Sequence, residues 1–282
     1  MKLAEIDHKQ VITLAPSDSV SRAFTLMVEH DIRHLPIVED ERVVGIVSDR
    51  DLLIIVSWIG AWKSLMHEST VVGKKRVAEL MSSPVTVLSR EDKIESAARL
   101  MLDKRFSAIP IEEQGRLINI VTETDVLRCC VGESSISASR AWRELKVFEC
   151  MSQDVVTASP SDHVMPSFHL MKEKQIRHLP IVDEGKLVGL ISERDLRRSY
   201  GKEIAVNLAR DEPNLEMPYH YTLKDAMSYK VETTNGDASL VQATCRMLNF
   251  KIGALPVTEG DQLVGIITET DLLRVFVEHA EA

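Results

Sequence analysis

The chain reads as a mixed α/β (α+β) protein built from four copies of one β-α-β-β-α unit, and three observations carry that reading. A short apolar segment around a proline occurs four times: IRHLPIV at Pro36, FSAIPIE at Pro110, IRHLPIV at Pro180 and IGALPVT at Pro256. Fifteen residues after each proline stands an aspartate: Asp51, Asp125, Asp195 and Asp271 close the runs GIVSDRD, NIVTETD, GLISERD and GIITETD. Successive prolines are 74, 70 and 76 residues apart, a period too long for most solenoids and long enough for each copy to be a small folding unit. Residues 32–38 and 176–182 are identical, whereas the second and fourth copies share Thr-Glu-Thr-Asp. The order is A-B-A-B, as if a two-unit module had been duplicated whole.

Each unit opens with a β-rich stretch carrying a threonine: Thr13, Thr86, Thr157 and Thr233, each 23 or 24 residues before its proline. A helix follows. Val20, Ala23, Phe24, Met27 and Val28 fall at helical spacing on one face, as do Ile94, Ala97, Ala98 and Met101, then Val164, Phe168 and Met171, then Leu240, Ala243, Met247 and Leu248; these faces are read as core. Pro16-Ser17-Asp18 and Pro160-Ser161-Asp162 are expected to cap the first helices of the A units. The proline segment is a strand. Acidic or glycine residues turn it into a second strand, RVVGIVS or KLVGLIS. Ser/Thr-x-x-Asp then starts a second helix. The units span 1–62, 77–131, 147–201 and 220–282, in modules 1–135 and 145–282. Two helices on one face of a small sheet leave apolar surface that pairing two units would bury.

The run LLIIVSWIGAW at 52–62 is apolar all the way round, and Trp58 and Trp62 share a face. It is expected to pack between the two modules with approximate two-fold symmetry, or else in a homodimer or within the first module. It is about half the length of a membrane span.

Net charge is −9 with 44% apolar and 27% charged residues, a balance that argues against general binding to nucleic acid or anionic membranes. Cys129, Cys130, Cys150 and Cys245 form no C-x-x-C pattern; they are read as reduced, mostly buried thiols of a cytoplasmic protein. The first residues, MKLAEIDHKQ, hold no apolar signal core. No nucleophile, metalloprotease or P-loop motif is present. The recurring carboxylates form no evident acid–base pair, so the chain reads as no enzyme and as needing no metal.

Ser48–Asp51, Thr122–Asp125, Ser192–Asp195 and Thr268–Asp271 admit two readings. Ser/Thr three residues before an acid is a capping box, although that box prefers Glu and all four acids here are Asp. A carboxylate at a helix start also suits a ribose, since it accepts charged hydrogen bonds from both hydroxyls of a diol, and the helix N-terminus favours a phosphate.

The threonine strand, the proline strand and G-h-h-[ST]-x-x-D (h, apolar), in fixed order four times, resemble the CBS domain, named after cystathionine β-synthase. The resemblance covers nearly the whole chain outside the linkers at about 63–76, 132–146 and 202–219. It implies two pseudo-symmetric Bateman modules that bind AMP, ADP or ATP in clefts between paired repeats. Ser48, Asp51, Thr122, Asp125, Ser192, Asp195, Thr268 and Asp271 would hold ribose and phosphate. The backbone at Thr13, Thr86, Thr157 and Thr233 would grip the adenine edge. Ile37 and Val38, with Ile181 and Val182, would wall the base. Arg33, His34, Arg177 and His178 are the phosphate candidates, since guanidinium is an always-charged fork suited to phosphate; Arg50, Arg194 and Lys251 stand behind them. The B repeats depart from the pattern: Asn119 replaces the glycine, and Phe106-Ser107-Ala108 and Ile252-Gly253-Ala254 replace the Arg-His pair. Two full sites are therefore expected rather than four. CBS pairs usually regulate an attached enzyme or channel; none is recognisable here, so the expected role is a nucleotide sensor acting on a separate partner. The alternatives are a sensor of S-adenosylmethionine or a cyclic dinucleotide, and a scaffold with vestigial pockets.

Overall fold

A computed structural model describes residues 1–6, 10–52, 75–131, 144–196 and 222–279. Apart from Leu52, the apolar run with Trp58 and Trp62 lies outside the described residues.

The first repeat holds α1 (Val20–Glu29), β1 (His34–Glu39), β2 (Arg42–Ser48) and a helix starting at Asp49. The second holds β3 (Leu88–Ser89), α2 (Ile94–Lys104), β4 (Ala108–Glu113), β5 (Arg116–Thr122) and α3 (Glu123–Val131). The third follows with α4 (Val147–Cys150), α5 (Val164–Glu173), β6 (His178–Asp183), β7 (Lys186–Ser192) and a helix starting at Glu193. The fourth has α6 (Leu223–Ala226), α7 (Leu240–Phe250), β8 (Ala254–Glu259), β9 (Gln262–Thr268) and α8 (Glu269–His279). The expected β-α-β-β-α order is present, with the opening strand reduced to β3 or to single parallel bridges, Leu14↔Ile37, Ala158↔Ile181 and Thr234↔Val257. Among the described residues no helix is long and apolar enough to cross a membrane.

The helix faces read from the sequence are the buried ones: Val20, Ala23, Phe24 and Met27 on α1, and Ile94, Ala97, Ala98 and Met101 on α2. The caps differ from expectation. Ser19, not Ser17 or Asp18, caps α1 by accepting from the Arg22 amide at 3.2 Å. Asp18 instead accepts from the Ala15 amide at 2.8 Å, and Asp162 from the Ser159 amide at 2.7 Å. A short polar side chain can close such a local turn as readily as it caps a helix.

What makes the pair of repeats the structural unit is an exchange of arms. The segment opening each repeat docks on its partner: Leu3 donates its amide to Asp92 at 2.8 Å, and Val77 donates to Asp18 at 2.8 Å. In the second module Val147 donates to Ala238 at 2.9 Å and Leu223 to Asp162 at 2.8 Å. The four anchors are buried. Each of the last three arms then bridges the partner's second strand, at Ser82↔Ile46, Ser152↔Ile266 and Ser228↔Leu190. There its methionine lies over a glycine: a Cβ on Gly45 would strike Met81, one on Gly189 Met227, and one on Gly265 Met151. The second repeat's strand has Asn119 at the place of this glycine, and the position of the first arm that corresponds to the methionines is Asp7, outside the described residues.

Within a module the hairpins meet edge to edge, most fully where Lys186 of β7 pairs with Gln262 of β9. The main apolar clusters run the other way, across the modules. One joins Phe24, Met27 and Ile37 of the first repeat to Phe168, Met171 and Ile181 of the third. The other joins Ile94, Met101 and Val126 of the second to Met247, Leu273 and Phe276 of the fourth. The surface expected to be buried by pairing within a module is thus buried largely between modules, because the helices form an apolar layer there. The cysteines are unpaired, with Cys130 buried and the other three half-buried.

Gly189→Ala should destabilise the chain by about 1–3 kcal/mol, the range for overpacking a filled site. Combined with Met227→Ala it should cost clearly less than the sum of the two single changes, because both act on one contact. Urea unfolding of the three variants measures this; additive losses would show that the glycine does not make room for the arm.

Candidate functional site

The hairpin register brings together two motifs that lie apart in the sequence. His34 pairs with Ser48, Ala108 with Thr122, His178 with Ser192 and Ala254 with Thr268. One residue on, the amide of Asp49 donates to the Arg33 carbonyl at 2.9 Å and that of Glu193 to Arg177 at 3.2 Å. The Arg-His pair of each A repeat therefore sits directly beside that repeat's Ser-x-x-Asp turn.

All four turns are capping boxes. The Ser48 hydroxyl donates to Asp51 Oδ2 at 2.6 Å and its amide donates to the same oxygen at 2.8 Å. The hydroxyl distances are 2.6 Å for Thr122–Asp125, 2.6 Å for Ser192–Asp195 and 2.7 Å for Thr268–Asp271. The acid is short because one residue serves as both N3 and a close acceptor for hydroxyl and amide together. Capping occupies only Oδ2, which leaves the other oxygen for a further partner. Asp125 Oδ1 accepts from Arg128 at 2.9 Å and Asp271 Oδ1 from Arg274 at 3.1 Å. Among the described residues Oδ1 of Asp51 and of Asp195 has no such partner, and these two aspartates are half-buried while Asp125 and Asp271 are 9% and 6% exposed.

The base-pocket expectations need correction. Ile37 and Ile181 are 0% exposed, inside the cluster shared by the first and third repeats. Strand alternation turns Val38 and Val182 to the other face, where they are half-buried. Leu14 uses both amide groups on β1, donating to Pro36 at 3.1 Å and accepting from Val38 at 2.8 Å. The amide groups of Thr13 therefore point away from that strand. Thr157 and Thr233 hold the same place beside Ala158 and Thr234. Thr86 does not: β3 pairs through Leu88↔Ile111, which puts Val87 in the equivalent position.

The phosphate candidates meet carboxylates that the sequence reading passed over. The residue after Ser/Thr in the motif is acidic in every repeat, and Asp49, Glu123, Glu193 and Glu269 are all buried. Arg177 Nη1 lies 2.7 Å from Glu123 Oε2, and Arg33 Nη2 lies 3.7 Å from Glu269 Oε2. Arg50 sets Nε and Nη2 on Glu193 Oε1 at 2.7 and 2.6 Å. Thr124 donates to Glu269 at 2.7 Å and Thr270 to Glu123 at 3.3 Å. All these bonds cross between modules, and two sets are pseudo-two-fold mates: Arg177–Glu123 with Arg33–Glu269, and Thr124–Glu269 with Thr270–Glu123. Arg194 donates to the Lys251 carbonyl at 2.7 Å, while Lys251 itself is exposed at the left-handed end of α7. His34 Nε2 lies 2.9 Å from the Ser107 hydroxyl. The signal that could have found the acids was their recurrence in SDRD, TETD, SERD and TETD. What hid them is that a charged residue at a helix start is usually a solvated one.

Burial pushes the carboxyls of Glu123 and Glu193 up, opposed by Arg177 and Arg50 respectively. Burial, then Arg177, Arg33 and Arg194, push the His178 imidazole down to about 3 from its ordinary 6.5. The folded chain thus favours the neutral ring, and unfolding takes up a proton between those values. The resulting stability is complete above pH 6.5 and is lost as pH falls toward 3. The raised carboxyls act with opposite sign, so the comparison must be between parent and variant. Relative to His178→Asn, the parent should lose up to about 1.4 kcal/mol per pH unit below 6.5 in denaturant titrations. A gap constant with pH would mean that the ring titrates normally.

A CBS domain profile matches residues 3–57, 77–132, 146–202 and 223–278. Over 284 residues the chain is 28% identical to protein MJ1225 of Methanocaldococcus jannaschii, spanning 98% of each. It is 28% identical to a 33.4 kDa protein from a ribosomal RNA operon of Thermofilum pendens, spanning 97% of this chain and 91% of that one. The crystal structure of MJ1225, which has been proposed as an archaeal homologue of g-AMPK, matches with a TM-score of 0.86 at 26% identity, covering 98% of this chain and 100% of that one. A Pyrococcus horikoshii structure at 20% identity shares the fold, with a TM-score of 0.62 and coverage of 98% and 99%. With four matched stretches that carry the proline strand and the Ser/Thr-x-x-Asp turn of every repeat, the chain belongs to the CBS domain family.

Proposed function

We propose that the chain is a regulatory protein that binds an adenine nucleotide (AMP, ADP or ATP) and acts on a separate partner without chemistry of its own. One observation carries the reading. Asp51 and Asp195 each hold one oxygen in the cap, and among the described residues the other meets no side chain, at a helix N-terminus beside an Arg-His pair and the outward amide groups of a parallel edge. An open carboxylate oxygen suits a ribose diol. The cap fixes the carboxylate in place, and the helix end adds a favourable field for an anion. At Asp125 and Asp271 a diol must first displace an arginine. Among the described residues the four motif aspartates are engaged in caps and Glu123, Glu193 and Glu269 in ion pairs, so none of these forms an acid–base couple. The whole-chain likeness to MJ1225 supports the regulatory part of the proposal.

S-adenosylmethionine satisfies the same diol geometry and is the second reading. A 3′-linked cyclic dinucleotide lacks the free diol and fits Asp51 and Asp195 less well.

Calorimetry and thermal shift with AMP, ADP, ATP, adenosine and S-adenosylmethionine should show binding, with stabilisation that grows with ligand concentration. No heat and no shift from any of them would leave a scaffold with vestigial pockets. Asp51→Asn and Asp195→Asn keep a cap acceptor but lose the charged one. Each should weaken its site about ten- to hundredfold, the value of a hydrogen bond to a charged group, and should weaken adenosine as much as ATP. Unfolding loss with unchanged affinity would mean that the aspartates only cap.

A further inference from the structure

We infer that Glu123 and Glu269 occupy the anion places of Arg177 and Arg33 until a ligand arrives, so that nucleotide phosphate enters by exchange with an internal carboxylate, and binding takes up a proton and releases contacts between the modules. This rests on the nucleotide reading above and states how that site would signal.

The geometry has three parts. The two arginines belong to the A repeats, and their backbones are fastened to the turns that carry Asp51 and Asp195. A phosphate joined to a ribose on those aspartates is thus delivered toward the same guanidinium groups. The two glutamates come from the B repeats of the opposite module: Glu123 meets Arg177 at 2.7 Å, and Glu269 meets Arg33 at 3.7 Å. The B repeats carry Ser107 and Gly253 where the A repeats carry arginine. Every anion at this centre therefore shares a small set of A-repeat cations.

The glutamates cannot simply be left behind. The Glu123 side chain is 4% exposed and that of Glu269 is 8% exposed. Glu123 is faced by Arg177 of the third repeat, Arg33 of the first, and Glu269 and Thr270 of the fourth. Glu269 is faced by Arg33, by Thr124 of the second repeat and by Glu123. If phosphate takes Arg177, the threonine hydroxyl remains, and the second carboxylate adds repulsion. A buried carboxylate that loses its cation neutralises rather than stays charged, so Glu123 takes a proton from solvent as phosphate binds. The displaced bonds are those that tie the third repeat to the second and the first to the fourth. Ligand thereby biases how the modules are held, which is the differential contact a conformational response requires.

Calorimetry of AMP and of adenosine on the full chain, in several buffers of different ionisation enthalpy at one pH, tests this. The slope of observed heat against buffer enthalpy counts protons. AMP should show greater uptake on the parent than on Glu123→Gln, a comparison that cancels the titration of the AMP phosphate itself; adenosine should show no difference. Glu123→Gln should also bind AMP about tenfold tighter, one logarithmic unit of relieved competition, with adenosine unchanged. Equal proton counts, or weaker AMP binding by the variant with adenosine equally weakened, would overturn the exchange while leaving nucleotide binding intact. Absence of binding by both ligands would instead overturn the nucleotide reading and the exchange with it. Should Glu123→Gln not fold, the parent decides alone: its preference for AMP over adenosine must rise from pH 8.5 toward 7.5, where ionisation of the phosphate, with a pKa of about 6, is nearly complete. A flat preference would refute the exchange.

Discussion

Each repeat turns on one short bond, from the Ser or Thr hydroxyl at the end of its second strand to an aspartate three residues on. The bond ends the hairpin and starts the helix in a single step. Because both partners lie within one helical turn, the geometry forms wherever the sequence occurs, and it forms four times. It also decides which way the next two groups face. The residue after the hydroxyl is tied by its amide to the proline strand and is driven to the interior, and the aspartate is left with one oxygen turned outward.

That geometry explains why this protein carries a charged centre. The first interior residue is acidic in all four repeats, so bringing the modules together buries four carboxylates. Desolvating them is unfavourable by several kcal/mol apiece unless each gains a cation and hydrogen bonds. Arg33, Arg50 and Arg177, with hydroxyls from Thr124 and Thr270, supply those partners to Glu269, Glu193 and Glu123. Removing one member strands its partner, whereas an apolar interface would tolerate small shifts. The apolar clusters on either side give most of the adhesion between modules, and the charges fix which repeat faces which.

The A and B repeats divide the work. The A repeats bring the arginines, and the B repeats bring the two glutamates that those arginines meet. The B aspartates are closed by Arg128 and Arg274 from the next helical turn. A duplicated A-B module reproduces much of the same arrangement after a half turn, so Arg177–Glu123 is matched by Arg33–Glu269 and Thr124–Glu269 by Thr270–Glu123.

Features that depend on near neighbours could be read from the residues alone. The helical faces, the hairpins, the capping boxes and the A-B-A-B order follow from spacing of three, four or two residues, so a single strand of text holds both partners. The family followed from the same local patterns. The rest emerged only when the repeats packed together. The arms cross to the partner repeat, Ile37 and Ile181 turn into a core shared between modules, and Thr86 falls one position out of register. Arg177 finds Glu123 at a separation of 54 residues, and Arg50 finds Glu193 at 143. No local rule pairs groups that far apart. Their meeting is set by which apolar surfaces must be buried together, and the buried charges then pair because nothing else can satisfy them.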